Sequence, residues 1–271
     1  MAGDHRYRLL LTGASGVLGR YLAPLLAEKY GTLLMSDIAD FPDPLPPGAQ
    51  FVRADLADAS AVNDLTKDVT TILHFGGVST EQSFEAILPA NIIGTTNIFE
   101  AARRSRGRVV FASSNHTIGF YERGEMLTVA DRCRPDGLYG VSKVYGEMLG
   151  RLFYDKHGVE SIHLRIGSCF PEPTEARHLS TWLSYGDFLR LISCSIEAEK
   201  PGFSTIWGVS ANRQSWWGED DAARIGYVPV DNAETYRASL SASTEDPIAA
   251  RFQGGSFCAA HYSRGSADAA Q

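Results

Sequence analysis

The amino-acid sequence predicts a doubly wound α/β fold, in which helices cover both faces of a parallel sheet of the Rossmann type. Up to about residue 167, short apolar runs alternate with amphipathic helical stretches, the pattern of parallel strands joined by right-handed helical crossovers. A glycine-rich turn also follows the first apolar run and opens the first helix, where folds of this class bind dinucleotides. The predicted strands are residues 7–12, 32–36, 51–53, 71–75, 108–113 and 161–166.

The chain length of 271 residues favours one compact unit over two full-sized domains. We expect residues 1–167 to form mainly the dinucleotide-binding Rossmann domain. Residues 168–262 should form mainly a small C-terminal lobe that binds the substrate and closes the fold, with Trp207, Trp216 and Trp217 as its apolar filling. The last residues, 263–271, are small and polar and are expected to be a disordered tail.

Composition excludes several classes of partner. The net charge of −7, from 25 basic and 32 acidic residues, argues against nucleic acid, which requires a clustered basic surface. No run approaches the roughly 20 apolar residues of a membrane span, and residues 1–8 are too polar for a signal peptide, so we expect a cytoplasmic protein without a membrane partner. The four scattered cysteines and seven histidines form no CxxC or HExxH pair, so no metal site is predicted.

Three glycines at intervals of three residues form the predicted cofactor loop. Gly13, Gly16 and Gly19 follow the first strand and open the first helix, where bare backbone lets a pyrophosphate approach the helix N-terminus. A plain tight turn is the alternative interpretation of such a triplet. The residues expected to contact the cofactor here are Gly13, Ser15, Gly16, Val17, Leu18 and Gly19.

A carboxylate at the end of the second strand predicts which cofactor is bound. Asp37 can accept hydrogen bonds from the adenosine ribose hydroxyls and would repel a 2′-phosphate. Because Ile38 follows it instead of an arginine, NAD is favoured over NADP, although Asp37 could also serve only to cap a turn. Asp55 and Leu56 follow the third strand and are predicted adenine contacts, with a helix-start aspartate as the alternative for Asp55.

The predicted catalytic group combines a tyrosine, a lysine and a serine. Tyr139 and Lys143 are four residues apart, so both lie on one face of a helix. We expect the ammonium, with the cationic oxidised nicotinamide, to lower the pKa of the phenol until it can act as a base. Ser114 ends a predicted strand, where doubly wound sheets bind their ligands, and could donate to the reacting oxygen. The alternative is a surface pair of Tyr139 and Lys143 without a catalytic role.

These motifs together resemble those of the extended short-chain dehydrogenase/reductase superfamily. Within it, the chain resembles the bacterial uronate dehydrogenases more than the sugar-nucleotide epimerases and dehydratases, whose larger C-terminal lobes hold a nucleotide diphosphate. The helix that contains residues 91–96 also fits the superfamily. The segments that carry the closer resemblance are residues 76–79, 111–119, 165–169, 177–182 and 251–255.

The resemblance implies oxidation of D-galacturonate or D-glucuronate at the anomeric carbon, with NAD as cofactor and the aldaric acid lactone as product. It assigns Tyr139 as the base for the anomeric hydroxyl and Ser114 as a hydrogen-bond donor to the same oxygen. Lys143 would hold the tyrosine and the nicotinamide ribose, and Arg177 would bind the substrate carboxylate through two parallel hydrogen bonds. The remaining residues that it implies are Ser79, Asn115, His116 and Ser168 at the substrate, and Ile166 and Cys169 near the nicotinamide.

Two other functions remain open at this point. A sugar-nucleotide epimerase or dehydratase could use the same scaffold, because function lies in the site and not in the fold. A non-catalytic NAD-sensing module is the alternative from another class, although such a module commonly loses its tyrosine or lysine. We also expect a homo-oligomer, since helices of this fold often pair between subunits.

Overall fold

The computed structural model describes residues 7–240 and 245–262, and the predicted tail, residues 263–271, lies outside them. Within the described residues, seven parallel strands form the main sheet: β1 Leu9–Thr12, β2 Leu33–Asp37, β3 Ala49–Arg53, β4 Thr71–His74, β5 Arg108–Ser114, β6 Ser161–Ile166 and β9 Phe203–Gly208. Their order across the sheet is β3-β2-β1-β4-β5-β6-β9. A separate parallel pair consists of β7 Ser168–Cys169 and β8 Trp182–Leu183. The predicted fold class is confirmed.

The helices connect these strands and cover both faces of the sheet. In the described part of the chain they are α1 Val17–Tyr30, α2 Ala59–Leu65, α3 Phe84–Ile87, α4 Thr95–Ser105, α5 Leu138–His157, α6 His178–Thr181, α7 Tyr185–Glu197, α8 Ala222–Ile225, α9 Pro247–Arg251 and α10 Ser256–Ala259. A π-helical segment, Leu88–Gly94, joins α3 to α4. Short 3₁₀ helices occupy Asn115–Ile118 and Ala233–Ser239.

Two apolar layers hold the helices on the sheet. On one face, Leu26 of α1 and Phe188 of α7 pack in a single buried cluster with the strands. On the other face, Phe99 of α4 and Phe153 of α5 belong to a second cluster. Because both faces are covered, the central strands are buried along their whole length, which explains why they appear as continuous apolar runs in the sequence.

The order of the strands fixes the position of the site. From β1 the chain first adds strands on one side and then, beginning with β4, on the other, so the connections reverse direction between β1 and β4. Ligands of such sheets bind outside the carboxyl ends of the strands at this reversal. The glycine loop follows β1 directly, and the predicted catalytic serine ends β5, so both lie at this edge.

The chain after residue 167 returns to the main sheet. Helix α7 packs on the sheet, and β9 pairs with β6, including Arg165 opposite Trp207. The expectation that Trp207 belongs to the small lobe is therefore wrong. Its ring stacks on Trp217, with 5.1 Å between ring centroids, and so joins the sheet to the segments beyond it. A lobe made of the remaining segments of 168–262 stays a prediction.

Two further observations concern the chain as a whole. Across residues 7–240 and 245–262, the structure contains no helix that is both long and apolar enough to cross a membrane. The four cysteines Cys133, Cys169, Cys194 and Cys258 are all free thiols.

Candidate active site

The turn after β1 brings bare backbone to the edge of the sheet. Gly13 has a φ of 70°, and a Cβ added there would lie 2.5 Å from the carbonyl carbon of Phe75. A Cβ on Gly19 would lie 2.2 Å from the carbonyl oxygen of Gly13, so this glycine allows α1 to pack against the turn. Gly16 occupies the N-cap position of α1 without a side-chain cap, which suits an anion-binding helix end.

Asp37 connects the glycine loop to the end of β2. Its Oδ2 accepts a hydrogen bond from the backbone N–H of Ser15 at 3.0 Å, and its Oδ1 accepts one from the N–H of Ala39 at 3.2 Å. Asp37 therefore does cap a turn. The same side chain lines the cavity described next, so the turn role and the predicted ribose contact are compatible.

A cavity of about 800 Å³ extends along the carboxyl ends of the strands. The predicted residues in its wall are Gly13, Ser15, Gly16, Val17, Leu18, Gly19, Asp37, Asp55, Leu56, Ser79, Ser114, Asn115, His116, Tyr139, Lys143 and Ile166. Its wall also includes residues that the sequence did not single out as ligands, among them Gly76, Gly77, Pro89, Ala90 and Gly167. Three predicted residues, Ser168, Cys169 and Arg177, are not part of this wall.

Tyr139 and Lys143 lie side by side on α5, and both are buried. The Lys143 Nζ is 5.5 Å from the centroid of the Tyr139 ring and donates a hydrogen bond to the carbonyl oxygen of Ala112 at 2.8 Å. Ser114 lies at the end of β5, and its Oγ accepts a hydrogen bond from the backbone N–H of His116 at 3.2 Å. The predicted surface-pair alternative is wrong, because neither side chain is on the surface.

The pKa values of this pair differ from the expectation. Burial raises the pKa of Tyr139 to about 12, a hydrogen bond with Ser114 opposes the rise, and the charge of Asp136 adds to it. Burial lowers the pKa of Lys143 to about 8. The desolvation of the phenol outweighs the effect expected of Lys143 alone, and the predicted lowering by Lys143 together with the oxidised nicotinamide stays a prediction.

His116 is held by a carboxylate from outside the predicted motifs. Its Nδ1 lies 2.7 Å from Oδ2 of Asp136, and its ring stacks on Phe257 with 3.8 Å between centroids. The same ring forms a T-shaped contact with Tyr139, with 5.7 Å between centroids. The predicted substrate residue is thus fixed beside the predicted base.

Arg177 joins three predicted residues at one end of the site. Its Nη1 donates to Oγ of Ser168 at 3.1 Å, and its Nε and Nη2 donate to the carbonyl oxygen of Gln253 at 2.9 and 2.7 Å. With the Asn115 amide oriented so that its oxygen faces Arg177, that oxygen accepts from Nη2 at 2.9 Å and the amide nitrogen donates to the carbonyl oxygen of Ile166 at 3.1 Å. Asn115 thereby connects Arg177 to the cavity wall.

The charge of Arg177 has no direct counter-ion in the described chain. Burial lowers the pKa of its guanidinium, and within residues 7–240 and 245–262 no carboxylate forms an ion pair with it. Cys169 lies next to Ser168 on β7, where burial raises the pKa of its thiol. The structure provides no cavity contact for Cys169, and its predicted place near the nicotinamide stays a prediction.

Sequence reasoning missed the residues that position the site from a distance. The Glu81 carboxylate accepts the backbone N–H groups of Leu138 and Tyr139, both at 2.9 Å, and so caps the N-terminus of α5. Asp136 holds His116, and Gln253 holds Arg177 through its carbonyl group. Each of these three residues lies outside the short motif that contains the residue it contacts. The sequence therefore carried no local signal for these contacts.

The comparison with known proteins agrees with this geometry. The profile of the NAD-dependent epimerase/dehydratase family matches residues 9–225. The chain belongs to this family. Among its similar relatives are the uronate dehydrogenase of Agrobacterium fabrum, 47% identical over 92% of this chain and 96% of that protein, and the uronate dehydrogenase of Pseudomonas putida, 44% identical over 93% and 96%.

Solved structures of the family give the same result. The uronate dehydrogenase of Agrobacterium tumefaciens superimposes with a TM-score of 0.89 at 46% identity, covering 93% of this chain and 97% of that one. A Tyr-to-Ala mutant of that enzyme in complex with NAD matches equally well. The predicted resemblance to uronate dehydrogenases is confirmed, as is membership of an NAD-dependent family of enzymes.

Proposed function

We propose that the protein oxidises D-galacturonate and D-glucuronate at the anomeric carbon, with NAD as cofactor, and forms the aldaric acid lactone. The observation that carries this proposal is the half-buried Arg177 side chain, whose guanidinium forms no ion pair with a carboxylate among the described residues. A partly desolvated charge without a counter-ion is unfavourable, so a ligand carboxylate at Arg177 would be favoured. A uronate supplies that carboxylate, whereas the neutral parent sugar does not.

The side chains around the cavity suit removal of a proton from the anomeric hydroxyl. Tyr139 accepts this proton. Ser114 Oγ accepts a hydrogen bond from the His116 N–H and is also in hydrogen-bond contact with Tyr139, so it stands beside the base and the reacting oxygen. For Tyr139 to act as a base near neutral pH its pKa must fall from about 12, and a positive charge beside the phenol has this effect. Lys143, with a pKa of about 8, is mostly protonated at pH 7.

The residues at the other end of the cavity suit NAD. The glycine turn permits a close approach to the backbone, the N-terminus of α1 suits a pyrophosphate, and Asp37 suits ribose hydroxyls. When bound, NAD supplies the hydride acceptor. The cavity reaches from Asp37 to Tyr139, so a single ligand can contact both.

Steady-state kinetics with matched substrates test the proposal. Purified protein with NAD or NADP is supplied with D-galacturonate, D-glucuronate, galactose, glucose or UDP-glucose, and nicotinamide reduction is followed by absorbance. We expect rapid reduction of NAD with the two uronates only, and a lactone as the first product in the ¹³C NMR spectrum. Turnover of UDP-glucose without turnover of uronates would instead support the sugar-nucleotide alternative.

Substitution of Arg177 tests the role of the carboxylate. In Arg177→Lys, loss of the planar two-donor group should lower kcat/KM for uronates by about tenfold to a hundredfold, with the Kd for NAD unchanged. Arg20→Lys is the matched control, because Arg20 is exposed and forms its ion pair with Asp43. Equal loss in both variants, or no loss in Arg177→Lys, would contradict the assignment.

We also infer that the protein forms a homo-oligomer. Val141, Met148 and Leu152 expose apolar side chains along one face of α5, which supports helix pairing between subunits. Light scattering after size exclusion should give a multiple of the 29.5 kDa chain mass. A mass of one chain at micromolar concentration would contradict this inference.

A further inference from the structure

The pair formed by His116 and Asp136 has a role that the reaction itself does not require. We propose that Asp136 is a positioning residue, which fixes the tautomer of His116 so that the ring Nε2 accepts a hydrogen bond from a sugar hydroxyl. This inference rests on the proposed function, because it takes the sugar acid as the ligand. It makes the His116–Asp136 pair a determinant of substrate specificity.

The geometry of the pair fixes one ring proton. Nδ1 of His116 is 2.7 Å from Oδ2 of Asp136, the Asp136 side chain is fully buried, and that of His116 is 12% exposed. An ionised carboxylate can only accept hydrogen bonds, so the proton between these two atoms belongs to Nδ1. In the neutral imidazole the other nitrogen, Nε2, then carries a lone pair and acts as an acceptor.

The protein backbone is shaped around this carboxylate. A Cβ on Gly119 would lie 1.8 Å from Oδ2 of Asp136, and a Cβ on Gly254 would lie 2.0 Å from the same atom. The backbone N–H of Gly254 also donates to the carbonyl oxygen of Gly119 at 2.9 Å, which closes the two segments over the carboxylate. Two glycines from distant parts of the chain therefore provide the space for Asp136.

Burial of the Asp136 carboxylate is energetically unfavourable. Its Oδ1 is buried and has no hydrogen-bond partner among the described residues. Besides His116, the only side chain in hydrogen-bond contact with Asp136 in the described chain is the Cys258 thiol, with Sγ 3.8 Å from Oδ2. Buried polar atoms without a partner are rare in native proteins and call for an explanation, and control of His116 supplies one.

The orientation of the ring leaves Nε2 to the ligand. The imidazole stacks on Phe257 and forms a T-shaped contact with Tyr139, and these two rings restrict its rotation. It lines the cavity, and its Nε2 makes no hydrogen bond with any described residue. The backbone N–H of His116 donates to Oγ of Ser114, which links this residue to the group proposed to contact the reacting oxygen.

Nuclear magnetic resonance of the ring nitrogens tests the tautomer directly. Protein labelled with ¹⁵N-histidine is studied with saturating NAD, and the His116 signals are identified by their absence in His116→Gln. We expect a protonated Nδ1 and an unprotonated Nε2 in the wild type. In Asp136→Asn the new amide can donate as well as accept, so the proton should shift at least partly to Nε2. Asp221→Asn is the matched control, since Asp221 accepts the backbone N–H of Thr205 on β9, away from the site.

A set of uronates that each lack one ring hydroxyl tests the consequence. In the wild type, removal of the hydroxyl that binds Nε2 should lower kcat/KM by about tenfold to a hundredfold. In Asp136→Asn this penalty should shrink to less than about threefold, while the penalties at the other hydroxyls and all penalties in Asp221→Asn stay as in the wild type. Thermal unfolding verifies that both variants are folded.

The outcomes separate this inference from the proposed function. An unprotonated Nδ1 in the wild type, or an unchanged hydroxyl penalty in a folded Asp136→Asn, overturns the inference while uronate turnover stands. Absence of uronate turnover by the wild type overturns the proposed function and the hydroxyl contact with it. The spectrum then still decides whether Asp136 sets the tautomer.

Discussion

The buried ion pair between Glu147 and Arg165 anchors α5 to the sheet, and its removal tests quantitatively how much this anchor stabilises the fold. Glu147 accepts hydrogen bonds from Nε and Nη2 of Arg165 at 2.9 and 2.8 Å and from Oγ of Ser113 at 2.6 Å. The two charged side chains are 1% and 3% exposed. The pair joins the helix that carries Tyr139 and Lys143 to the ends of β5 and β6. Glu147→Ala removes the acceptor of all three hydrogen bonds.

The expected loss of stability follows from the charge that is left behind. In Glu147→Ala the Arg165 guanidinium stays buried without a counter-ion, which costs about 3–5 kcal/mol of unfolding free energy. For a chain of this size each kcal/mol lowers the melting temperature by about 2 °C, so a fall of roughly 6–10 °C is expected. Replacement of both partners, Glu147→Leu with Arg165→Met, removes the unpaired charge and should regain most of the loss.

Equilibrium unfolding in urea, followed by circular dichroism, measures these differences. Glu100→Ala is the control, because Glu100 forms exposed ion pairs with Arg103 and Arg104 on α4, and its loss should cost less than about 1 kcal/mol. The reasoning is refuted if Glu147→Ala costs no more than this control. It is also refuted if the double variant is as unstable as Glu147→Ala, since the unpaired charge would then not be the cause.

Three further predictions concern the site and its support. Tyr139→Phe should abolish uronate oxidation and leave the Kd for NAD within about threefold by calorimetry, because the base is lost and the glycine loop is intact; residual turnover above about 1% would exclude this base. Glu81→Ala should cost about 1 kcal/mol in urea unfolding through loss of the α5 cap, and lower kcat more than it raises KM; unchanged stability and kcat would contradict the role of the cap. Burial lowers the pKa of His74 to about 3 and that of His163 to about 4, so the unfolded chain binds more protons below pH 6.5. Stability should therefore fall from pH 7.5 to pH 5, by about 2 kcal/mol for each histidine, and equal urea midpoints at the two pH values would contradict it.

Strand prediction succeeded where apolar residues recur within a short segment. Residues 161–166, in which Ile162, Leu164 and Ile166 alternate with polar residues, form a strand with the predicted bounds, and the predicted run at 7–12 differs only in beginning at Leu9. The strand β9 was missed because its buried positions include Ser204 and Thr205, which give no apolar pattern. Their burial is possible because the chain satisfies them locally, as when the Ser204 Oγ donates to the carbonyl oxygen of Pro201. No pattern of hydrophobicity contains that information.

The site residues also divide into those that the sequence could predict and those that it could not. Residues within short motifs, such as the glycine loop and the Tyr139/Lys143 pair, could be predicted because their spacing fixes their geometry. Glu81 and Asp136 could not, because each acts on a residue brought near by the tertiary fold. The pKa of Tyr139 shows the same limit: the sequence places an ammonium beside the phenol, but only the structure reveals that burial has the larger effect.

The net charge of −7 and the proposed anionic substrate are compatible for an electrostatic reason. At physiological ionic strength exposed charges are screened beyond about 8 Å, so most surface carboxylates contribute little at the cavity. Arg177 is half-buried, where screening by salt is weaker than at the surface, and its guanidinium donates hydrogen bonds to neutral hydroxyl, amide and carbonyl groups. Its charge is not neutralised by an ion pair with a described carboxylate and can act on a ligand that reaches it. A short-range cation of this kind would select an anionic sugar at the point of contact without making the protein surface attract anions in general.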